Sequence, residues 1–150
     1  MANVETEEHR YVLSSRWVKE KIVTIEIDGK PDFEVATPPD FWPDSPKATI
    51  SPEALFVASA VSCYGVSLSG AATRFHAEFT GFTVKATAAL KKGDFGWEFD
   101  QIAICPRIVV PTQKDKKRME KAAERAHRYC VVSNSMKCPV LLDYEVVVED

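Results

Sequence analysis

SPEALFVASAVSCYGVSLSGAATRF, residues 51–75, is the stretch on which the fold turns. Ser51 can cap a helix, Pro52 suits the first helical position, where its missing N–H is no loss, and Glu53 complements the positive end of the dipole. From Ala54 to Ala72 no residue is charged. The spacing predicts one long helix ending near Phe75. Val57, Val61, Tyr64 and Leu68 line one face with large side chains. Ala58, Ser62, Gly65, Ser69 and Ala72 line another with small ones, which lets a second helix approach closely. The run is long enough to span a bilayer. Ser59, Ser62, Ser67, Ser69, Gly65 and Gly70 dilute it, however, and strand-like segments flank it, so a central helix of a soluble assembly is the reading taken. A helix with so few charges needs cover on most sides. One small domain has too little chain to supply that cover, so a dimer is expected.

Upstream, Tyr11, Leu13 and Trp17 alternate with polar neighbours, as do Val23, Ile25 and Ile27, the period of half-buried strands. Asp28-Gly29 is a tight-turn signal, and Phe33 with Val35 begins a third strand, giving a meander of three. Pro38 to Ile50 carries four prolines and reads as a stiff loop. Its Phe41 and Trp42 either plug the core or wall a pocket. Downstream, strands are expected over about Phe79 to Leu90 and Trp97 to Val110, joined by a Lys91-to-Gly96 turn. Thr112 and Asp115 resemble a capping box. Met119, Ala122, Ala123, Ala126 and Cys130 share the apolar face of a second helix whose other face is charged. Val140 to Glu149 closes the chain as a final strand. The order is βββ-α-ββ-α-β, an α+β fold, with 1–150 read as a single domain.

The 150 residues carry a formal net charge of −3, which gives no electrostatic reason to expect nucleic acid. Met1 to Arg10 is polar and acidic, unlike a secretory signal, so the chain is read as cytoplasmic, with no membrane partner. The cysteines at 63, 105, 130 and 138 include no CxxC pair of the kind that zinc favours, and a structural disulfide framework does not suit a cytoplasmic chain. No metal or cofactor is expected; His9, His76 and His127 show no paired spacing. Inert buried thiols or redox chemistry remain.

Cys63 lies mid-helix on a stripe with Phe56, Ser59, Val66 and Gly70, and Cys130 lies on the inner face of the second helix. Each alone has the bland reading of a small core residue. To react, Cys63 has to ionise, and an ordinary cysteine with a pKa of ~8.5 is only about 3% thiolate at neutral pH. Cys63 sits roughly 15 Å from the helix start, beyond the reach of the dipole. The activator is therefore sought in a nearby cation. Cys105 and Cys138 each precede a proline and are taken as packing or surface thiols.

The segments SPEALFVASAVSCYGVSL and HRYCVVSNSMKCPV, with EVATPPDF before the long helix, resemble the OsmC/Ohr family of thiol-dependent hydroperoxide reductases, in order over essentially the whole chain. The resemblance implies an OsmC-like fold and an intertwined homodimer around two long central helices, with two sites at the subunit interface. It implies Cys63 as the peroxidatic and Cys130 as the resolving cysteine, and Glu53 as an active-site residue. Glu53 and Cys63 are about 15 Å apart along one helix, so Glu53 would serve the neighbouring subunit's site; otherwise it is a favourable first-turn charge. The family's first-hairpin arginine is not matched in RWVKEKIV, where Lys19 and Lys21 stand and Arg16 lies slightly earlier. Lysine is a point charge without a planar fork. Val131 replaces the usual proline after the resolving cysteine.

The activity implied is reduction of organic or fatty-acyl hydroperoxides, with a Cys63–Cys130 disulfide reopened by a small dithiol or lipoyl-type reductant. Phe41, Trp42 and Phe56 are the candidate walls for an oily substrate. The alternative is a non-catalytic OsmC-like ligand-binding or stress-response domain that lost the activating arginine.

Overall fold

The computed structural model describes residues 7–150. The chain gathers into two compact units, one ending at Leu55 and the other Phe56–Asp150.

The first unit is the expected meander. Strands β1 (Leu13–Lys19), β2 (Ile22–Ile27) and β3 (Phe33–Ala36) form an antiparallel sheet in the order β1-β2-β3. Glu20, at φ 47°, turns the first hairpin and accepts a hydrogen bond on its carbonyl from the Trp17 indole at 3.0 Å. Gly29, at φ 72°, turns the second, as the Asp-Gly signal requires. The proline-rich segment contains no strand or helix. Pro38 and Pro46 open successive turns closed by Phe41, Trp42 and Thr49 N–H groups. Ile50 then accepts the Ala36 N–H at 3.0 Å.

Helix α1 (Pro52–Arg74) starts in this unit and continues through the next. Ser51 caps it as expected, its hydroxyl accepting the Ala54 N–H at 3.1 Å. Ala60, Tyr64, Leu68, Ala71 and Ala72 are its buried residues, a stripe at helical spacing. The Tyr64 hydroxyl donates to the Ala123 carbonyl of the second helix at 3.2 Å, which ties the two helices together beside Cys63. Burial, with the Tyr144 phenol nearby, pushes the Tyr64 hydroxyl well above the usual phenol range, so it stays a donor. The opposite stripe of Ala58, Ser62, Val66, Ser69 and Thr73 is exposed, Val66 at 72%. Only 22% of the helix's most apolar window, of mean hydropathy 1.5, is buried. Within one chain, then, this uncharged helix keeps an uncovered side.

Strands β4 (Gly81–Gly93) and β5 (Gly96–Val110) make a long antiparallel hairpin. The expected turn shrinks to Asp94-Phe95, because Gly96 at φ 113° lets Lys91 and Lys92 pair with Glu98 and Trp97. Phe82, Val84, Ala86 and Ala88 pack against the core as their alternation indicates, opposite fully buried Ile108, Pro106, Ile104 and Ile102, while Leu90 lies beyond it opposite Phe99. Helix α2 (Gln113–Arg128) begins with the Thr112–Asp115 box: Thr112 accepts the Asp115 N–H at 3.1 Å and donates to the Asp115 carboxylate. That carboxylate also accepts the Glu78 N–H at 3.0 Å. These bonds hold it below the usual carboxylate range, the one to Thr112 most of all.

Two features differ from the sequence expectation. Cys130 is not on α2, which ends at Arg128; it is the N-cap of a further short helix, α3 (Val131–Ser135). The closing strand is interrupted, giving β6 (Val140–Leu142) and β7 (Glu145–Val148), both parallel to β5. Its register does not shift, since Ile104 faces Leu142 before the break and Arg107 faces Glu145 after it. The break lies beside buried Pro106, which has no N–H to give the ladder.

The core that holds Cys63 against Cys130 is therefore that of the second unit. Tyr64→Phe should cost about 1 kcal/mol in denaturant unfolding, one net hydrogen bond. Leu68→Ala, which empties a fully buried position, should cost roughly 2–5 kcal/mol.

Candidate functional site

Cys63 is half-buried and Cys130 fully buried, and both are free thiols. α1 delivers Cys63 and the α2–α3 junction delivers Cys130. The junction is pinned by Asn134, whose side chain donates to the Arg128 carbonyl at 3.0 Å and whose N–H donates to the Cys130 carbonyl at 3.0 Å. The two thiols are neighbours, and the Cys130 thiol is among the groups that favour the Cys63 thiolate.

Partial burial pushes the Cys63 thiol up. Against it, the Val132 N–H, the Cys130 thiol, the Ser67 hydroxyl and the Val131 N–H all favour the thiolate. Together they leave Cys63 below the ordinary cysteine range. Val131 and Val132 are the first two residues of α3, whose N–H groups have no acceptor inside their own helix. Cys130, at the N-cap position, makes no side-chain cap. The Val131 and Val132 N–H groups act instead on the Cys63 thiol of α1. The sequence argument looked for a cation; among the described residues, the groups that lower this thiol are N–H, hydroxyl and thiol donors.

Three of these donors escaped the sequence reading. Ser67 had a visible signal, standing four residues after Cys63 on the same helix face. Val132 had none. Val131 registered only as a departure from the family's proline. Proline has no N–H, so valine at this place adds a donor that proline could not supply.

The other candidates sit as follows. Lys19 and Lys21 are exposed in the first unit, with the Lys21 ammonium 5.8 Å from the centre of the Trp42 ring. Arg16 pairs with Glu26 at 3.1 Å. Phe41 is 41% exposed and Trp42 half-buried. Phe56, in the second unit, stacks on Phe99 with ring centres 5.0 Å apart. Glu53 has one carboxylate oxygen buried without a hydrogen-bond partner. Cys105 is exposed on β5, and Cys138 packs against the core. Among the described residues, no three His, Cys, Asp or Glu side chains gather as metal ligands.

A reachable thiol held among donors, with a second thiol buried behind it, marks this as an α+β protein of the paired-cysteine kind. The family described as OsmC-like protein matches residues 45–145, and the chain belongs to that family. Among curated proteins nothing matches the sequence. Solved structures give the same fold. An OsmC-like protein of unknown function from Vibrio cholerae superposes with a TM-score of 0.83 at 21% identity, over 92% of this chain and 100% of that one. An organic hydroperoxide resistance protein from Elizabethkingia anophelis gives 0.72 at 19%, over 95% and 100%. The organic hydroperoxide resistance protein OsmC from Legionella pneumophila gives 0.71 at 18%, again over 95% and 100%. At these identities the likeness is one of fold.

Val131→Pro isolates one donor. Pro suits the first position of a helix, and Cys130 before it is already extended at φ −68°, ψ 108°. The substitution should leave thermal stability nearly unchanged and raise the pH midpoint for alkylation of Cys63. Alkylation at neutral pH should slow roughly threefold, about 0.65 kcal/mol, within the range of one ordinary net hydrogen bond.

Proposed function

We propose that the protein is a thiol-dependent peroxidase that reduces organic hydroperoxides. The observation that carries this reading is the buried Cys130 thiol beside a half-buried Cys63 sulfur that its neighbours shift towards thiolate. The Cys63 thiolate attacks the terminal oxygen of the hydroperoxide. The O–O bond breaks, the sulfur is oxidised to a sulfenic acid, and the alkoxide leaves as the alcohol after taking a proton. The Cys130 thiol then displaces hydroxide from that sulfenic acid, forming the Cys63–Cys130 disulfide and water. A small dithiol or lipoyl-type reductant restores both thiols by exchange and leaves as its own disulfide.

In this reading the working unit is a homodimer in the cytoplasm. Its support is the uncovered Ala58–Thr73 stripe, whose small residues suit close helix contact. Glu53 is assigned to the partner protomer's site, a role suited to a buried carboxylate oxygen without a bond in its own chain. Lys19 and Lys21 are assigned a basic role in this reading, and Phe41, Trp42 and Phe56 the recognition of an apolar substrate.

Mass spectrometry after one equivalent of cumene hydroperoxide tests the chemistry. The unaltered chain should carry a Cys63–Cys130 link, Cys130→Ser should hold a dimedone-reactive sulfenic acid on Cys63, and Cys63→Ser should lose turnover by at least about a hundredfold. No link and no sulfenic acid would favour the non-catalytic ligand-binding reading. Light scattering tests the assembly: the chain should run as a dimer, and Val66→Lys, which places a charge on the covered stripe, should run as a monomer.

A further inference from the structure

The chain as a whole is acidic, yet Arg74, Lys121, Arg125 and Arg128 line two adjoining cavities at α1 and α2. A cavity of about 330 Å³ lies between α1 and α2. Ser67, the residue whose hydroxyl donates to Cys63, stands on its wall. Gly70, Ala71 and Ala126 give it a small, apolar floor, and Arg74 and Arg125 bring two guanidinium groups to it. Arg125 lies over the Tyr129 ring, 4.4 Å from its centre, which fixes the fork without neutralising it. A second cavity of about 410 Å³ shares Arg125 and Tyr129 and adds Lys121 and Arg128. Its acidic member, Glu124, already accepts the Tyr144 hydroxyl at 3.0 Å. None of Arg74, Lys121, Arg125 and Arg128 forms an ion pair among the described residues. His127, on the same wall, has a buried ring nitrogen, Nδ1, without a protein partner.

We propose that this cleft is an anion-recognition subsite of the thiol centre, in which Arg74 and Arg125 hold the anionic head of an amphiphile whose alkyl chain lies over Gly70, Ala71 and Ala126 towards Ser67 and Cys63. Arg74 is eleven residues beyond Cys63, roughly 16 Å along the helix axis. The head held there is consequently far from the sulfur, and a substrate that fits both ends carries its peroxide well along the chain, away from the head. An esterified or neutral counterpart loses the arginine contacts. The inference rests on the peroxidase reading for what happens at Cys63, while the binding site itself stands on the cleft.

Calorimetric titration of the reduced, unaltered chain with octanoate, octyl phosphate and 1-octanol tests binding without any turnover. At least one of the two anions should bind about tenfold or more tightly than the alcohol. Arg74→Gln and Arg125→Gln should each weaken that anion by about tenfold, the range for a charged hydrogen bond. Because Arg125 also packs on Tyr129, salt supplies an independent measure: added sodium chloride should weaken the anion in the unaltered chain and leave the alcohol alone. The alcohol binding as tightly as both anions, or anion affinity indifferent to salt and to both substitutions, would overturn the subsite. Anion binding that persists in a chain inert to hydroperoxides would overturn the peroxidase reading alone.

Discussion

The sulfur of Cys63 lies at the start of a helix to which it does not belong. The first N–H groups of α3 have no acceptor inside their own helix, and those of Val131 and Val132 favour the anionic form of a thiol from the middle of α1. Two needs are met by one contact. The short helix gains an acceptor, and the sulfur gains donors that favour its anionic form. The hydroxyl of Ser67 and the thiol of Cys130 complete the shell. Because Cys130 is the N-cap residue of α3, the same junction that supplies the N–H donors also supplies the second sulfur.

The rest of the second unit serves to hold α1 against that junction. Tyr64 is hydrogen-bonded to Ala123, the alanines of α2 give close approach, and β5 carries a row of buried isoleucines beneath them. Asp115 ties the start of α2 to the chain entering β4, which fixes the helix at the end remote from Cys130. Depression of its pKa means that this tie contributes stability above the unfolded carboxylate pKa. The contribution is lost as pH falls through the lower folded value.

Much of the frame was legible because it rests on periodicity and on local chemistry. Alternation located β1, β2, β4 and β5. Ser51-Pro52-Glu53 started α1 at its observed residue, and Thr112 with Asp115 started α2. What escaped was what depends on contact across the chain. Cys130 continued the apolar spacing of α2 and so read as part of it, although the helix stops two residues earlier and the thiol is buried by a change of direction. Pro106 fits the inward alternation of β5, but its effect falls on the neighbouring strand, whose ladder lapses at Asp143 and Tyr144. The demand for a cation at Cys63 followed from a helix dipole too far away. The N-terminus of a different helix, which the described residues bring to the sulfur, has no counterpart in that argument. Backbone donors leave no trace in residue type, apart from the one place where a valine stands instead of a proline.

The account depends on Cys63 being anionic before substrate arrives, and the pH dependence of its reaction reports this directly. The second-order rate constant with an alkyl hydroperoxide, followed in single turnover with Cys105 and Cys138 replaced by serine, should rise and level off at a midpoint below the ~8.5 of an ordinary cysteine. A rate that keeps climbing through that value, parallel to free cysteine, would contradict it.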